Sequence, residues 1–210
     1  KLIEEFMLLA NRQVAAFIGK NMDGMPSKKP FVYRVHDVPD PDKIGVFSAF
    51  VKQFGHQMII KSPKDIANSM NRVLADVSGK REENMVELLA IRTMSKAKYT
   101  TENIGHYGLG FNYYTHFTSP IRRWPDVMVH RLLQRYLDGE KIKNKEAIEE
   151  QCKHSSAMEK LSTDAERSSI KYMQVKYLVG KEGQEFDALV SGVTEFGIFV
   201  ELQDSLCEGL

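Results

Sequence analysis

Apolar residues recur at helical spacing through Leu2–Gly19, LIEEFMLLANRQVAAFIG, which predicts a helix with Ile3, Met7, Ala10, Val14 and Phe17 on its inward stripe. Glu4, Leu8, Asn11 and Ala15 line the adjacent face. Asn21–Pro30 is turn-rich and polar, an exposed loop. Phe31–His36 then switches to a period of two, with Phe31, Tyr33 and Val35 on one strand face and Val32, Arg34 and His36 on the other. A turn carrying Pro39 and Pro41 leads to an amphipathic helix over 42–54, with Ile44, Phe47, Ala49 and Phe50 inward. Ser62-Pro63-Lys64-Asp65 joins a capping residue to proline at the first helical position, and Gly79 marks that helix's end. A further helix runs from Glu82 to about Lys98, burying Met85, Leu88, Leu89, the stem of Arg92 and Met94. Residues 144–179 read as one long helix with Ile148, Cys152, Met158, Leu161, Ala165, Ile170, Met173 and Val175 as its apolar set. After a hinge at 180–184, two alternating strands joined at Val193–Phe196 close the chain. The pattern is that of an α+β protein: a mixed portion with several helices packed on a sheet, then the first strands of an all-β module.

The densest chemistry lies between Gly105 and Arg131, GHYGLGFNYYTHFTSPIRRWPDVMVHR, with histidines at 106, 116 and 130, arginines at 122, 123 and 131, and a run of aromatics. Its glycines among apolar residues predict an extended strand that lets another backbone come close. Ser119-Pro120 reads as an N-cap and first helical residue, placing Arg122 and Arg123 in the first turn of a helix. Open amides, a positive dipole end and two guanidinium forks would coincide there, which is a phosphate site. Asp126 and His130, four residues apart, share a face of that helix and would position Arg123 or fix the His130 tautomer. Pro125 implies a kink. Tyr113 and Tyr114 could stack on bases or fill the core.

Charge sharpens this picture. The 210 residues carry a net +1, yet 183–210 hold six acids and no Lys or Arg, leaving +7 on 1–182. From Arg92 to Arg135 seven bases face two acids. A polyanion partner fits that distribution. No apolar run is long enough to span a membrane, and Cys152 and Cys207, far apart in the chain, read as reduced thiols of a cytoplasmic protein.

HFTSPIRRWPDVMVHR, preceded by GHYGLGF, resembles the motif of the ribonuclease II / ribonuclease R (RNB) family of 3′-to-5′ exoribonucleases. The resemblance implies a processive hydrolase that takes single-stranded RNA to nucleoside 5′-monophosphates by a two-metal mechanism. Arg122 matches the arginine that stabilises the scissile phosphate, and Trp124 replaces the family's usual tyrosine. His106, Tyr114, His116, Ser119 and Arg123 would line the RNA path. IEEFMLLAN is similar to the helix whose glutamate meets a terminal ribose hydroxyl, leaving Glu4 and Glu5 both open. STDAERSSI places Glu166 near the RNA path or on a solvated face. FGIFV resembles an RNA-facing OB-fold strand, with Phe196 and Phe199 as stacking candidates or core. The implied domains are 1–180, the latter part of the catalytic domain, and 181–210, the truncated start of an OB-fold. Mg²⁺ is the implied cofactor. Its ligands are expected from aspartates ahead of Lys1, with none in this chain, so the piece should be inactive alone. A nuclease-dead RNA-binding homologue is the alternative.

Overall fold

The computed structural model describes residues 1–80 and 82–210. They form two compact units, Lys1–Ala157 and Met158–Leu210.

In the first unit the helices are α1 (Leu2–Gly19), α2 (Pro41–Lys52), α3 (Pro63–Val77), α4 (Glu83–Thr93) and α5 (Trp124–Leu137), with α6 (Lys145–Leu178) starting there. The strands β1 (Tyr33–Val35) and β2 (Lys98–Thr100) pair antiparallel, Arg34 opposite Tyr99. The sheet under the helices is thus a short two-stranded ribbon, buried on both sides: Phe31, Val32, Tyr33 and Val35 are all in the core. That core joins Ala15 and Ile18 of α1, the ribbon, Met128, Val129 and Leu132 of α5, and Cys152 of α6. A second core, with Ile44, Phe47, Met70, Val73 and Val86, holds α2, α3 and α4 together.

α1 buries the other stripe from the one its apolar residues predict. Asn11, Ala15, Ile18 and Gly19 face inward, while Ile3 is 77% and Phe17 62% exposed. Small residues decide this: a Cβ on Gly19 would lie 2.6 Å from the Tyr113 ring and 2.8 Å from the Tyr33 hydroxyl. α2 begins one residue earlier than its pattern indicates, because Asp40 caps it through a 2.9 Å bond from the Asp42 N–H and Pro41 takes the first helical position. Ser62 caps α3 as predicted, accepting the Asp65 N–H at 3.2 Å, and Gly79 follows its end with φ +77°. α4 stops at Thr93, short of Lys98: Met94 turns to extended backbone, and a short connection leads to β2. The helix buries Val86, Ala90 and Thr93, with Met85 and Leu88 exposed.

In the second unit β3 (Ala188–Thr194), β4 (Gly197–Leu202) and β5 (Glu208–Gly209) form an antiparallel sheet in that order. Thr194 pairs with Gly197, so the hairpin turns at Glu195–Phe196, within the expected Val193–Phe196 joint, and β5 is a third strand the alternation does not reveal. On α6 the predicted apolar set is buried only at Cys152; Met158, Leu161, Ile170, Met173 and Val175 are exposed. At about 100° per residue, those from Leu161 onward scatter around the helix and form no single stripe.

Candidate nucleic-acid interface

The first part of the Gly105–Arg131 segment, 105–119, is a loop that closes on β1, in place of the predicted strand, and the segment's end is the start of α5. His36 N–H donates to Gly105 O at 3.1 Å and Tyr107 N–H to His36 O at 2.9 Å; a 3-10 turn then spans Tyr107–Leu109. His106 and Phe111 bond back to each other, and Gly105 makes the bend with φ +81°, where a Cβ would meet Phe111 O at 3.2 Å. The chain then runs beside β1, Arg34 N–H donating to Tyr114 O and the Thr115 hydroxyl to Val32 O. Asn11 of α1 ties the other side, its Oδ1 accepting the Phe117 N–H at 2.9 Å and its Nδ2 donating to the Tyr114 hydroxyl at 3.3 Å.

Three histidines meet along this path. His36 Nδ1 accepts the Gly108 N–H, which leaves its Nε2–H to donate to Ser95 O at 2.7 Å. The His106 ring stacks on His36 at 5.1 Å, and Tyr114 stands edge-on to both His106 and His116. Burial, with the His36 ring and the Arg34 guanidinium beside it, pushes His106 down to about 4. His116 falls to about 3: burial acts first, then the positive charges of Arg123 and Arg34, His106, and Arg122. Its Nδ1 shares a 2.8 Å hydrogen bond with the Tyr99 hydroxyl. Both imidazoles are therefore neutral near pH 7, set within a cationic field made by arginines from β1 and the segment.

Ser119 does not cap a helix. The Pro120–Arg122 stretch is a turn, with the Arg122 and Arg123 N–H groups both pointing to Ser119 O, and α5 starts only at Trp124 with Arg123 as its N-cap. Pro125 accordingly sits in the first turn and kinks nothing. Asp126, fully buried, accepts the Ser119 N–H at 2.8 Å and binds the Arg123 guanidinium through both oxygens, at 2.9 and 3.0 Å. The predicted Arg123–Asp126 relation exists. The Asp126–His130 relation does not: His130 Nε2–H donates to Phe117 O at 2.8 Å, and its ring lies flat on Phe117 at 4.1 Å. With Arg123 neutralised, Arg122 is left exposed, and no carboxylate pairs with it among the described residues.

Tyr114 is 5% exposed with its hydroxyl engaged, so it is core and does not offer a stacking face. Glu4 and Glu5 are exposed in the first turn of α1, Glu4 on the stripe of Asn11 two turns on. Glu166 is exposed on α6, Phe196 is 89% exposed at the hairpin tip and Phe199 is half-buried; all three belong to the second unit. Asn11, Arg34 and Tyr99 are partners the motif reading missed. A polar residue inside an apolar helix and an arginine inside an apolar strand were the available signals. Among the described residues no three His, Cys, Asp or Glu side chains are placed to hold a metal ion together, and the one buried carboxylate here is saturated by Arg123. These donors do not fit a metal ion. No described helix is long and apolar enough to cross a membrane.

This helix-rich α+β arrangement matches solved ribonuclease R structures. That of Mycoplasma genitalium, in complex with ribose-methylated single-stranded RNA, matches with TM-score 0.83 at 28% identity over 100% of this chain and 33% of that one. Ribonuclease R of Aquifex aeolicus is 39% identical over 100% of this chain and 29% of that protein. Yeast Ssd1, described as a pseudonuclease, shares the fold with TM-score 0.78 at 22% identity over 99% of this chain and 26% of that one. The RNB domain model matches residues 1–139. The chain belongs to the RNB family, and it spans about a third or less of each of these relatives.

Proposed function

We propose that this chain is the RNA-guiding, phosphate-stabilising portion of a 3′-to-5′ exoribonuclease that releases nucleoside 5′-monophosphates from single-stranded RNA. The observation that carries it is the pairing of Arg123 with buried Asp126, which leaves Arg122 exposed and unpaired among the described residues, its charge reaching neutral His116. A guanidinium so placed can meet two phosphate oxygens as charge develops on them, which an ammonium cannot do bidentately. Neutral imidazoles and exposed aromatics carry no base code, in keeping with sequence-independent degradation. Glu4 or Glu5 would read a ribose hydroxyl, His106 and His116 would line the path, Ser119 and Arg123 would hold its turn, and Glu166, Phe196 and Phe199 would guide the strand. The division into a catalytic portion, 1–180, and the start of an OB-fold, 181–210, goes with this reading. So does a two-metal hydrolysis with Mg²⁺, for which the residues described here supply no ligand set.

The test uses a full-length protein bearing this segment and 5′-labelled single-stranded RNA, with Mg²⁺ and then with chelator. A ladder shrinking to a very short core, abolished by chelator, is the expected result. Binding without shortening would replace this reading with a nuclease-dead RNA-binding homologue.

A further inference from the structure

α1 and the Gly110–Tyr113 turn enclose a small cleft of about 290 Å³ whose polar lining comes from Arg12, Gln13, Lys20 and Asn112. Two cations dominate it, and both are held over rings. The Arg12 guanidinium lies 5.3 Å above Phe111, and Lys20 Nζ lies 5.1 Å above Tyr113. Tyr113 is itself fixed, because its ring packs directly on the backbone of Gly19. No carboxylate lines the cleft, and among the described residues neither cation has an acidic partner. A lysine on an open surface is ordinarily just solvated. Here the cations are pre-positioned on aromatic faces, which lowers the entropy lost when they meet an anion.

We propose that this cleft binds the backbone of single-stranded RNA, Arg12 and Lys20 holding two phosphates of one strand. The proposal rests on the reading of the chain as an RNA-handling protein and adds a contact surface to it. Arg12 on α1 and Lys20, the residue that caps its end, are eight residues apart, a rise of about 12 Å, more than the oxygens of one phosphate span. The ligand is therefore a chain of phosphates, not a lone anion. An acidic peptide offers repeated charge too, but the cleft is continuous with the His106–Phe117 path. Phe111 sits 5.8 Å from Tyr114, and Asn11, next to Arg12, anchors Phe117.

Binding of labelled oligouridylate to the 210-residue chain, titrated at several salt concentrations, tests this. In the double variant Arg12→Gln/Lys20→Gln, which removes both charges but keeps polar ends, the slope of log affinity against log salt should flatten by about 1.4, roughly 0.7 per phosphate lost on a single strand. The charge-preserving Arg12→Lys/Lys20→Arg should restore most of it, an outcome that a merely structural role would not produce. An unchanged slope in the Gln variant overturns the site. So does an equal flattening in Lys43→Gln/Lys52→Gln on α2, or competition by polyglutamate as strong as by RNA at equal charge. A wild-type chain that binds no RNA overturns the functional reading itself, and this site with it.

Discussion

Asp126 holds Arg123 through a 2.9 Å ion pair from a position with no solvent exposure, while its other oxygen accepts the Ser119 N–H. One carboxylate thus closes the turn that presents Arg122 and cancels the neighbouring guanidinium. Removing its charge leaves a partly buried arginine without compensation. Asp126→Asn should destabilise the chain by about 3 kcal/mol, read from urea unfolding. Arg123→Met in the same background should recover part of that loss, a coupling that a double-mutant cycle measures. A change below about 1 kcal/mol would show that the pair does not hold the turn.

Arg122 carries the proposed transition-state contact. Arg122→Ala in the full-length protein should lower turnover by about 10²–10³-fold with RNA affinity largely kept, because an interaction made only in the transition state acts on turnover. Arg122→Lys should fall between. A loss confined to affinity, with turnover of bound RNA unchanged, would assign Arg122 to binding alone.

How much of this was legible in the chain varies with the range of the forces involved. The α3 cap at Ser62 was readable because the residues that form it lie within one turn. The same Ser-Pro text at Ser119 misleads, since the Ser119 N–H is taken by Asp126 seven residues on, and the helix begins beyond it. On α1 two stripes have equal periodicity. The choice between them is made by the rings of Tyr113 and Tyr33 packing on Gly19, contacts that no local pattern contains. Likewise, Gly105 and Gly108 read as strand glycines, but one adopts a positive φ and the other donates its N–H to His36, far earlier in the chain. The Arg123–Asp126 contact, by contrast, was legible from a spacing of three residues, though the Asn11 and Tyr99 partners of the neighbouring loop were not.

The two half-buried histidines make an acid limb of stability. His106 and His116 have native pKa values of about 4 and about 3, below the ordinary imidazole range, so the folded state binds fewer protons than the unfolded one as pH falls. Their contribution is fully present above about pH 6.5 and declines as pH drops toward those native values. Each histidine adds a slope of at most about 1.4 kcal/mol per pH unit. Unfolding free energies measured between pH 7 and 4.5 should fall, and His116→Gln should flatten the decline. An identical slope in the variant would mean that His116 protonates as readily in the native chain as in the unfolded one.

Asn11 is the remaining strut, spanning from α1 to the loop with one amide. Its two bonds are unequal. The Phe117 N–H at 2.9 Å has Asn11 Oδ1 as acceptor, whereas the Tyr114 hydroxyl at 3.3 Å can turn toward another partner. Asn11→Ala strands the Phe117 donor in a partly buried place and should cost about 2 kcal/mol, while Tyr114→Phe removes only the longer bond and should cost about 1 or less. Amide exchange at Phe117 separates the two: it should quicken in Asn11→Ala and stay slow in Tyr114→Phe. Since Phe117 also accepts from His130 and leads into the Ser119 turn, the same variant should loosen the approach to Arg122. Slow Phe117 exchange in Asn11→Ala would mean that the Thr115–Val32 bond and the ring stack on His130 hold the loop without α1.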